Sequence, residues 1–125
     1  MKIDKTGPFL QRHRLKNYQE FQAVFQNGRF FYNEIFKIGF LKSESLESRL
    51  GIIVSKQHGS APKRNRIKRL VREVFRQKRT NIRQFGDVLI IPRYSVKEWN
   101  FEICERAFGF LVKKYNDSLG IHQVH

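Results

Sequence analysis

The sequence predicts a single-domain α/β sandwich, in which a small mixed β-sheet packs against helices in the order αβββαβα. Its 125 residues suffice for one hydrophobic core and exclude two large domains. Hydrophobic residues make up 40% of the chain, so it can bury a core and is not a disordered basic tail. Two continuous apolar runs, residues 50–55 and 87–91, flank an amphipathic helical segment. This arrangement is typical of a parallel strand–helix–strand unit.

The first half of the chain predicts one helix and three strands. Apolar residues recur at helical spacing from Tyr18 to Phe25, and Asn27-Gly28 is a helix stop signal. The aromatic run 30–32 and the alternating run 36–40 predict two strands. The continuous apolar run 50–55 then predicts a third, buried strand.

The second half predicts a long helix, a strand and a final helix. Pro62 favours the first helical position, because the residue before a proline avoids the helical backbone conformation. The helix then runs to about Thr80, with one apolar stripe formed by Ile67, Leu70, Val71, Val74 and Phe75. Residues 87–91 predict a strand that Pro92 ends, and residues 100–115 predict the last helix.

The two ends of the chain carry no sustained apolar period. Residues 1–13 are interpreted as a mobile basic arm and residues 116–125 as a flexible tail. The folded domain is therefore expected to span residues 14–115.

The charge balance points to a polyanionic partner. Lys and Arg total 25 against 11 Asp and Glu, which gives a formal net charge of +14. No apolar run is long enough for a membrane span or a signal peptide, so no membrane partner is expected. A single cysteine, Cys104, cannot form an intrachain disulfide, and we expect a cytoplasmic location.

The positive charge is concentrated on the long predicted helix. Residues 63–79 contain nine basic residues and one acid, Glu73. A solvated helix face normally alternates Glu with Lys four residues apart, whereas Lys68, Arg72 and Arg76 place like charges at that spacing. Most of these cations are Arg, whose planar fork matches phosphate oxygens. The pattern favours a nucleic-acid interface on the side of the helix opposite the apolar stripe.

Residues 64–73, with the sequence RNRIKRLVRE, resemble the signature of the bacterial ribonuclease P protein family. Residues 14–25 resemble that family's first-helix segment, and residues 49–56 resemble the strand before its basic helix. The resemblance spans residues 14–115. It implies a small subunit that binds a large catalytic RNA and, together with it, removes the 5′ leader from precursor tRNA.

The resemblance also implies roles for individual residues. Those expected to contact RNA are Lys56, Arg64, Asn65, Arg66, Lys68, Arg69 and Arg72, and those expected to bind the precursor leader are Phe21, Phe25 and Phe40. Because the RNA carries the catalysis, we expect no catalytic residue, no metal ligand and no cofactor on the protein, with Mg²⁺ required by the RNA-containing holoenzyme. No protein partner is implied, and the strand–helix–strand crossover is expected to be left-handed.

This chain departs from the family pattern at several positions. Ser60 replaces the usual Asn, His58 replaces an aliphatic residue, and Gly39 stands where an aromatic residue often faces the leader. Pro92 and Tyr94 also alter the surroundings of Arg93. The leader cleft is therefore expected to be lined differently here.

Alternative functions must be weighed against this interpretation. The four histidines could form the acid–base pair of a protein-only ribonuclease, but His13, His58, His122 and His125 are expected at the surface. A ribosomal-type structural RNA-binding protein is the other alternative. Cys104 is expected to be a buried structural thiol, Trp99 a hydrophobic staple, and the Phe21 and Phe25 rings a half-exposed cleft wall rather than core.

Overall fold

The computed structural model describes residues 7–44 and 47–120 and confirms the predicted order of elements. Short 3₁₀ turns lie at Gln11–His13, Lys56–His58 and Arg79–Asn81. The helices and strands are α1 (Tyr18–Asn27), β1 (Arg29–Tyr32), β2 (Phe36–Lys42), β3 (Arg49–Ile52), α2 (Ala61–Lys78), β4 (Gly86–Pro92) and α3 (Phe101–Ser118).

The four strands form one mixed sheet in the order β1-β2-β4-β3. β2 pairs antiparallel with both β1 and β4, while β3 pairs parallel with β4. The parallel crossover from β3 through α2 to β4 is therefore confirmed, and its left-handed sense stays a prediction.

Each long helix begins at a polar side chain that caps it. The side chains of Asn17, Ser60 and Asn100 accept hydrogen bonds from backbone N–H groups three residues later. Because Ser60 is the cap, α2 begins at Ala61 and Pro62 is its second residue, one position later than predicted. Proline is still accommodated there, since the first N–H groups of a helix have no partner within it.

The sheet separates two hydrophobic clusters of unequal size. Alternate residues of β2, including Ile38 and Phe40, lie in the large cluster with the buried sides of α2 and α3. The opposite face, which we call the α1 face, has a small buried cluster of Leu15, Val24 and Leu89. The α1 face is therefore the less completely covered side of the sheet.

The packed domain begins earlier than residue 14. Phe9 packs edge-on against Phe75 with 6.0 Å between ring centroids, and His13 is buried. Arg76 donates a hydrogen bond to the carbonyl of Gly7. The predicted arm boundary at residue 13 is thus too late, because Phe9 docks on the core; residues 1–6 of the arm lie outside the described residues.

The last helix also passes its predicted end. α3 continues to Ser118, and the side chain of Asn116 donates to the carbonyl of Asn81 and accepts from the N–H of Arg83. These two hydrogen bonds tie the last turn to the segment that precedes β4. Residues 121–125 of the predicted tail lie outside the described residues.

Candidate nucleic-acid interface

The helix α2 divides its residues between the core and the surface as predicted. Ile67, Val71, Val74 and Phe75 are buried, and Leu70 packs against the same cluster. The polar residues of α2 that are expected to contact RNA form what we call the basic face. It consists of the exposed Asn65, Arg66 and Arg69 and the half-buried Arg64, Lys68 and Arg72.

The cations near the end of α2 make contacts within the protein and are not part of the basic face. Arg76 forms an ion pair with Glu73 at 2.9 Å, and its guanidinium also bonds to Gly7. Lys78 pairs with Glu105 of α3 at 3.2 Å. These cations hold neighbouring segments together, whereas those of the basic face lie nearer the start of the helix.

The residues that precede α2 set its start. The Ser55 side chain accepts a hydrogen bond from the N–H of Gln57 and so caps the short turn that exposes Lys56. Ser60 accepts from the N–H of Lys63 at 3.4 Å. The side-chain oxygen of Ser60 is therefore the cap of α2, which accounts for a small polar residue at this position.

A group of ion pairs fixes α1 on the sheet. Arg49 of β3 donates to Asp87 of β4 and to Glu20 of α1, at 2.9 and 2.8 Å. The Glu20 side chain also accepts from the N–H of Lys16, and this bond is the main reason that its pKa lies below the usual value. The hydrogen bonds to Asp87 are the main reason that the pKa of Arg49 is raised. The two phenylalanines of α1 are thereby held in place.

The predicted cleft residues Phe21 and Phe25 both lie on the α1 face. A Cβ atom at position 51 would lie 2.8 Å from the Phe21 ring, so Gly51 provides the space that the half-buried ring occupies. Phe25, one turn later, is 43% exposed. One ring therefore forms the wall of a groove and the other its open edge.

A cavity of about 210 Å³ joins this groove to the basic face. Phe9 and Phe21 contribute rings to its lining, and Arg14, Lys68 and Arg72 contribute cations. The Arg14 guanidinium lies over Phe9 at 5.2 Å, and its Nε has no hydrogen-bond partner among the described residues. Burial and the nearby positive charge of Arg14 lower the pKa of Arg72. Such a cavity suits a phosphate group next to a base or sugar.

The prediction for Phe40 is wrong. Its side chain is only 3% exposed and stacks on Tyr115 of α3, with 4.2 Å between ring centroids. Successive residues of a strand point to opposite faces of the sheet, so Phe40 faces away from α1 while Gly39 faces toward it. A leader on the α1 face cannot reach this ring.

Two histidines predicted at the surface are buried instead. His13 accepts from the N–H of Leu10 at Nδ1 and contacts Glu47 through Nε2 at 2.9 Å. His58 accepts from the N–H of Ser55 at Nδ1, and its Nε2 lies 2.7 Å from the carbonyl oxygen of Pro92. Both nitrogens of each ring therefore have structural partners, and His122 and His125 lie outside the described residues.

Cys104 and Trp99, the other side chains considered from the sequence, are both buried. Cys104 is buried as predicted, and burial raises the pKa of its thiol to about 12. Trp99 is buried against Phe36. Within residues 7–44 and 47–120, no group of three His, Cys, Asp or Glu side chains could hold a metal ion. No helix in the same ranges is long and apolar enough to cross a membrane.

Sequence reasoning missed four residues that shape this surface. Phe9 and Arg14 line the cavity, while Phe30 and Lys37 lie together on the α1 face, with Nζ 5.3 Å from the ring centroid. The alternation of β2 and the length of the hairpin could have placed Phe30 opposite Gly39. No local signal could have docked Phe9 on the core.

This fold and surface define a small, basic α/β protein of the nucleic-acid-binding class, with a cationic helix beside an aromatic groove. A family model described as Ribonuclease P matches residues 9–116. A ribonuclease P protein component from Thermotoga maritima is 39% identical over 93 residues, which cover 74% of this chain and 80% of the relative. One from Bacillus pumilus is 40% identical over 105 residues, covering 83% and 88%.

Solved structures agree with these sequence matches. The RNase P protein from Thermotoga maritima superposes with a TM-score of 0.73 at 33% identity, covering 81% of this chain and 96% of that one. The protein from Staphylococcus aureus gives 0.73 at 29% identity, with 82% and 94% covered. The chain belongs to the ribonuclease P protein family, and it is a subunit of a ribonucleoprotein endoribonuclease rather than a protein-only nuclease.

Proposed function

We propose that the protein assists removal of the 5′ leader by contacting two RNAs at adjoining surfaces. The basic face and Lys56 bind the catalytic RNA subunit, and the groove lined by Phe21 and Phe25 binds the single-stranded leader of precursor tRNA. The observation that carries this proposal is the cavity lined by Phe21, Lys68 and Arg72, because it makes the two surfaces continuous. A leader in the groove would therefore lie beside RNA held on α2.

The chemistry of each surface supports its proposed partner. Arg and Lys side chains neutralise phosphates without reading bases, which suits a large structured RNA. Aromatic rings stack on unpaired bases of any sequence, which suits leaders that differ between tRNAs. The protein thus raises the affinity of the holoenzyme for precursor tRNA. It does not raise the affinity for mature tRNA, which has no leader.

Catalysis is assigned to the RNA, with Mg²⁺ bound in the RNA-containing holoenzyme. The family match supports this assignment, since the relatives are protein components of ribonuclease P. We place the holoenzyme in the cytoplasm, where a lone buried thiol such as Cys104 stays reduced.

Two variants separate the two surfaces in one assay. The protein is combined with ribonuclease P RNA, and affinities for the RNA subunit, precursor tRNA and mature tRNA are measured. Arg69→Ala should weaken binding of the RNA subunit and leave the precursor-to-mature affinity ratio unchanged. Phe21→Leu should lower that ratio and leave affinity for the RNA subunit unchanged.

The outcomes are unambiguous when folding is checked by circular dichroism. An unchanged precursor-to-mature ratio in folded Phe21→Leu contradicts the leader assignment. Copurification of the protein from cells with ribosomal RNA, rather than with one large non-ribosomal RNA, favours the ribosomal-type alternative.

A further inference from the structure

An aromatic ring contacts the backbone of the α1 face beside the proposed leader groove. Phe30 of β1 is opposite Gly39 of β2, and both face α1. A Cβ atom at position 39 would lie 2.6 Å from the Phe30 ring, far closer than such atoms approach. Position 39 can therefore carry no side chain while Phe30 keeps this place.

The Phe30 ring continues the aromatic surface of α1. It stacks with Phe25 at 6.0 Å between centroids and 19° between planes, and Phe25 is exposed. The Lys37 ammonium lies 5.3 Å from the centroid of Phe30. Phe30 also packs against the small cluster that contains Val24. The Phe30 ring thus connects the exposed ring of Phe25 to a cation on β2.

The cationic and aromatic character extends beyond Lys37. A neighbouring cavity of about 370 Å³ is lined by Lys37, Ile91, Pro92, Arg93 and Tyr94. The Arg93 guanidinium lies 5.7 Å from the ring centroid of Tyr32, an exposed residue of β1. Open space bounded by positive charge thus lies beyond Lys37, the residue that contacts both this cavity and the Phe30 ring.

We propose that Phe30, stacked with Phe25 and accompanied by Lys37, forms a base-stacking site that extends the leader groove across β1 and β2. The ligand is an unpaired nucleotide of the precursor leader, whose base stacks on the Phe25–Phe30 pair and whose phosphate is neutralised by Lys37. Phe30 is thereby a specificity-determining residue for precursor over mature tRNA. This inference rests on the function proposed above.

The primary test compares neighbouring phenylalanines on opposite faces of the sheet. Phe30→Leu keeps an apolar side chain over Gly39 but removes the flat ring. Phe31→Leu is the matched control, because Phe31 packs toward Tyr115 of α3 with 6.3 Å between centroids. In the reconstituted holoenzyme, Phe30→Leu should lower affinity for precursor tRNA about fivefold or more and leave affinity for mature tRNA unchanged. Phe31→Leu should leave their ratio unchanged.

Moving the ring provides an independent test. Gly39→Phe alone should lower the melting temperature, because the new side chain meets the Phe30 ring. In the double variant Phe30→Ala/Gly39→Phe the ring occupies the vacated space, so the precursor preference lost in Phe30→Ala should return. If Phe30 has only a structural role, the double variant should regain the melting temperature but not the preference for precursor tRNA. That result would overturn the inference.

The same measurements separate this inference from the function on which it rests. If the wild-type holoenzyme shows no preference for precursor tRNA, or Phe21→Leu leaves it unchanged, the leader groove itself is wrong. If Phe21→Leu lowers the preference and folded Phe30→Leu does not, the groove stands and only the site at Phe30 is rejected.

Discussion

Replacing Arg69 by Ala isolates the electrostatic part of RNA binding. Arg69 is exposed on α2, opposite the buried stripe that contains Ile67 and Val71. Its removal leaves the core contacts of the helix in place, so the fold should remain intact. Any change in binding can then be attributed to one lost positive charge.

The size of the effect follows from counterion release. Six cations are assigned to RNA, namely Lys56 and the five Lys and Arg residues of the basic face, and each phosphate contact contributes about 0.7 to 0.9 to the logarithmic salt slope. The wild-type slope should therefore be about −4 to −5. Arg69→Ala should flatten it by about 0.7 to 0.9, so that from 50 to 200 mM salt the variant loses about threefold less affinity than the wild type.

The assay is a salt series of fluorescence anisotropy titrations with the ribonuclease P RNA. Arg106→Ala is the matched control, since it removes the same charge from α3, where the 78% exposed side chain of Arg106 pairs with Glu102. The control should leave the slope unchanged. An unchanged slope in folded Arg69→Ala, or equal flattening by Arg106→Ala, refutes the assignment of the basic face to phosphate contacts.

Four further predictions address catalysis, stability and reactivity. The protein freed of RNA should not cleave precursor tRNA, and cleavage at the mature 5′ end by nuclease-treated protein would contradict this. Phe25→Ala should lower the free energy of unfolding by much less than the buried Phe75→Ala, which should cost about 3 to 5 kcal/mol in denaturant titrations; equal losses would make Phe25 a core residue. The hydrogen bond from Arg12 is the main cause that lowers the pKa of Glu47 to about 2. The ionised Glu47 carboxylate therefore stabilises the fold fully above its ordinary pKa of 4.5, and this stabilisation is lost as the pH falls toward 2. The difference in melting temperature between wild type and Glu47→Gln should accordingly shrink over that range, and a constant difference would argue against it. Native Cys104 should resist a thiol reagent at pH 8 and react once the protein is unfolded, whereas rapid reaction of the native thiol would show that it is accessible.

The elements that the sequence predicted well are those whose signals are local. The stripe of α2, the stop at Asn27-Gly28 and the strand β4 depend on residues near one another in the chain. The strand predicted over residues 50–55 is shorter than expected, since β3 spans Arg49–Ile52. The position of the basic face could also be predicted from the sequence, because the helical period alone places Arg69 opposite Ile67.

The features that escaped prediction depend on which segments meet in space. The alternation of β2 assigns Gly39 and Phe40 to opposite faces, but it does not tell which face α1 covers. His58 is buried beside β4, where its Nε2 lies 2.7 Å from the carbonyl oxygen of Pro92. Phe9 is held in the same way by tertiary packing against Phe75.

The unequal clusters on the two sides of the sheet have a consequence for how such a protein can change over generations. Folding stability is concentrated between the sheet and the helices α2 and α3, where Phe75 and Phe108 are fully buried. The α1 face contributes less to the core, so substitutions there should reduce folding stability less and be tolerated more often. A ring on β1 can then fill the space beside a residue without a side chain on β2, as Phe30 does beside Gly39. Substitutions on the α1 face should accordingly lower the melting temperature less than substitutions in the large cluster.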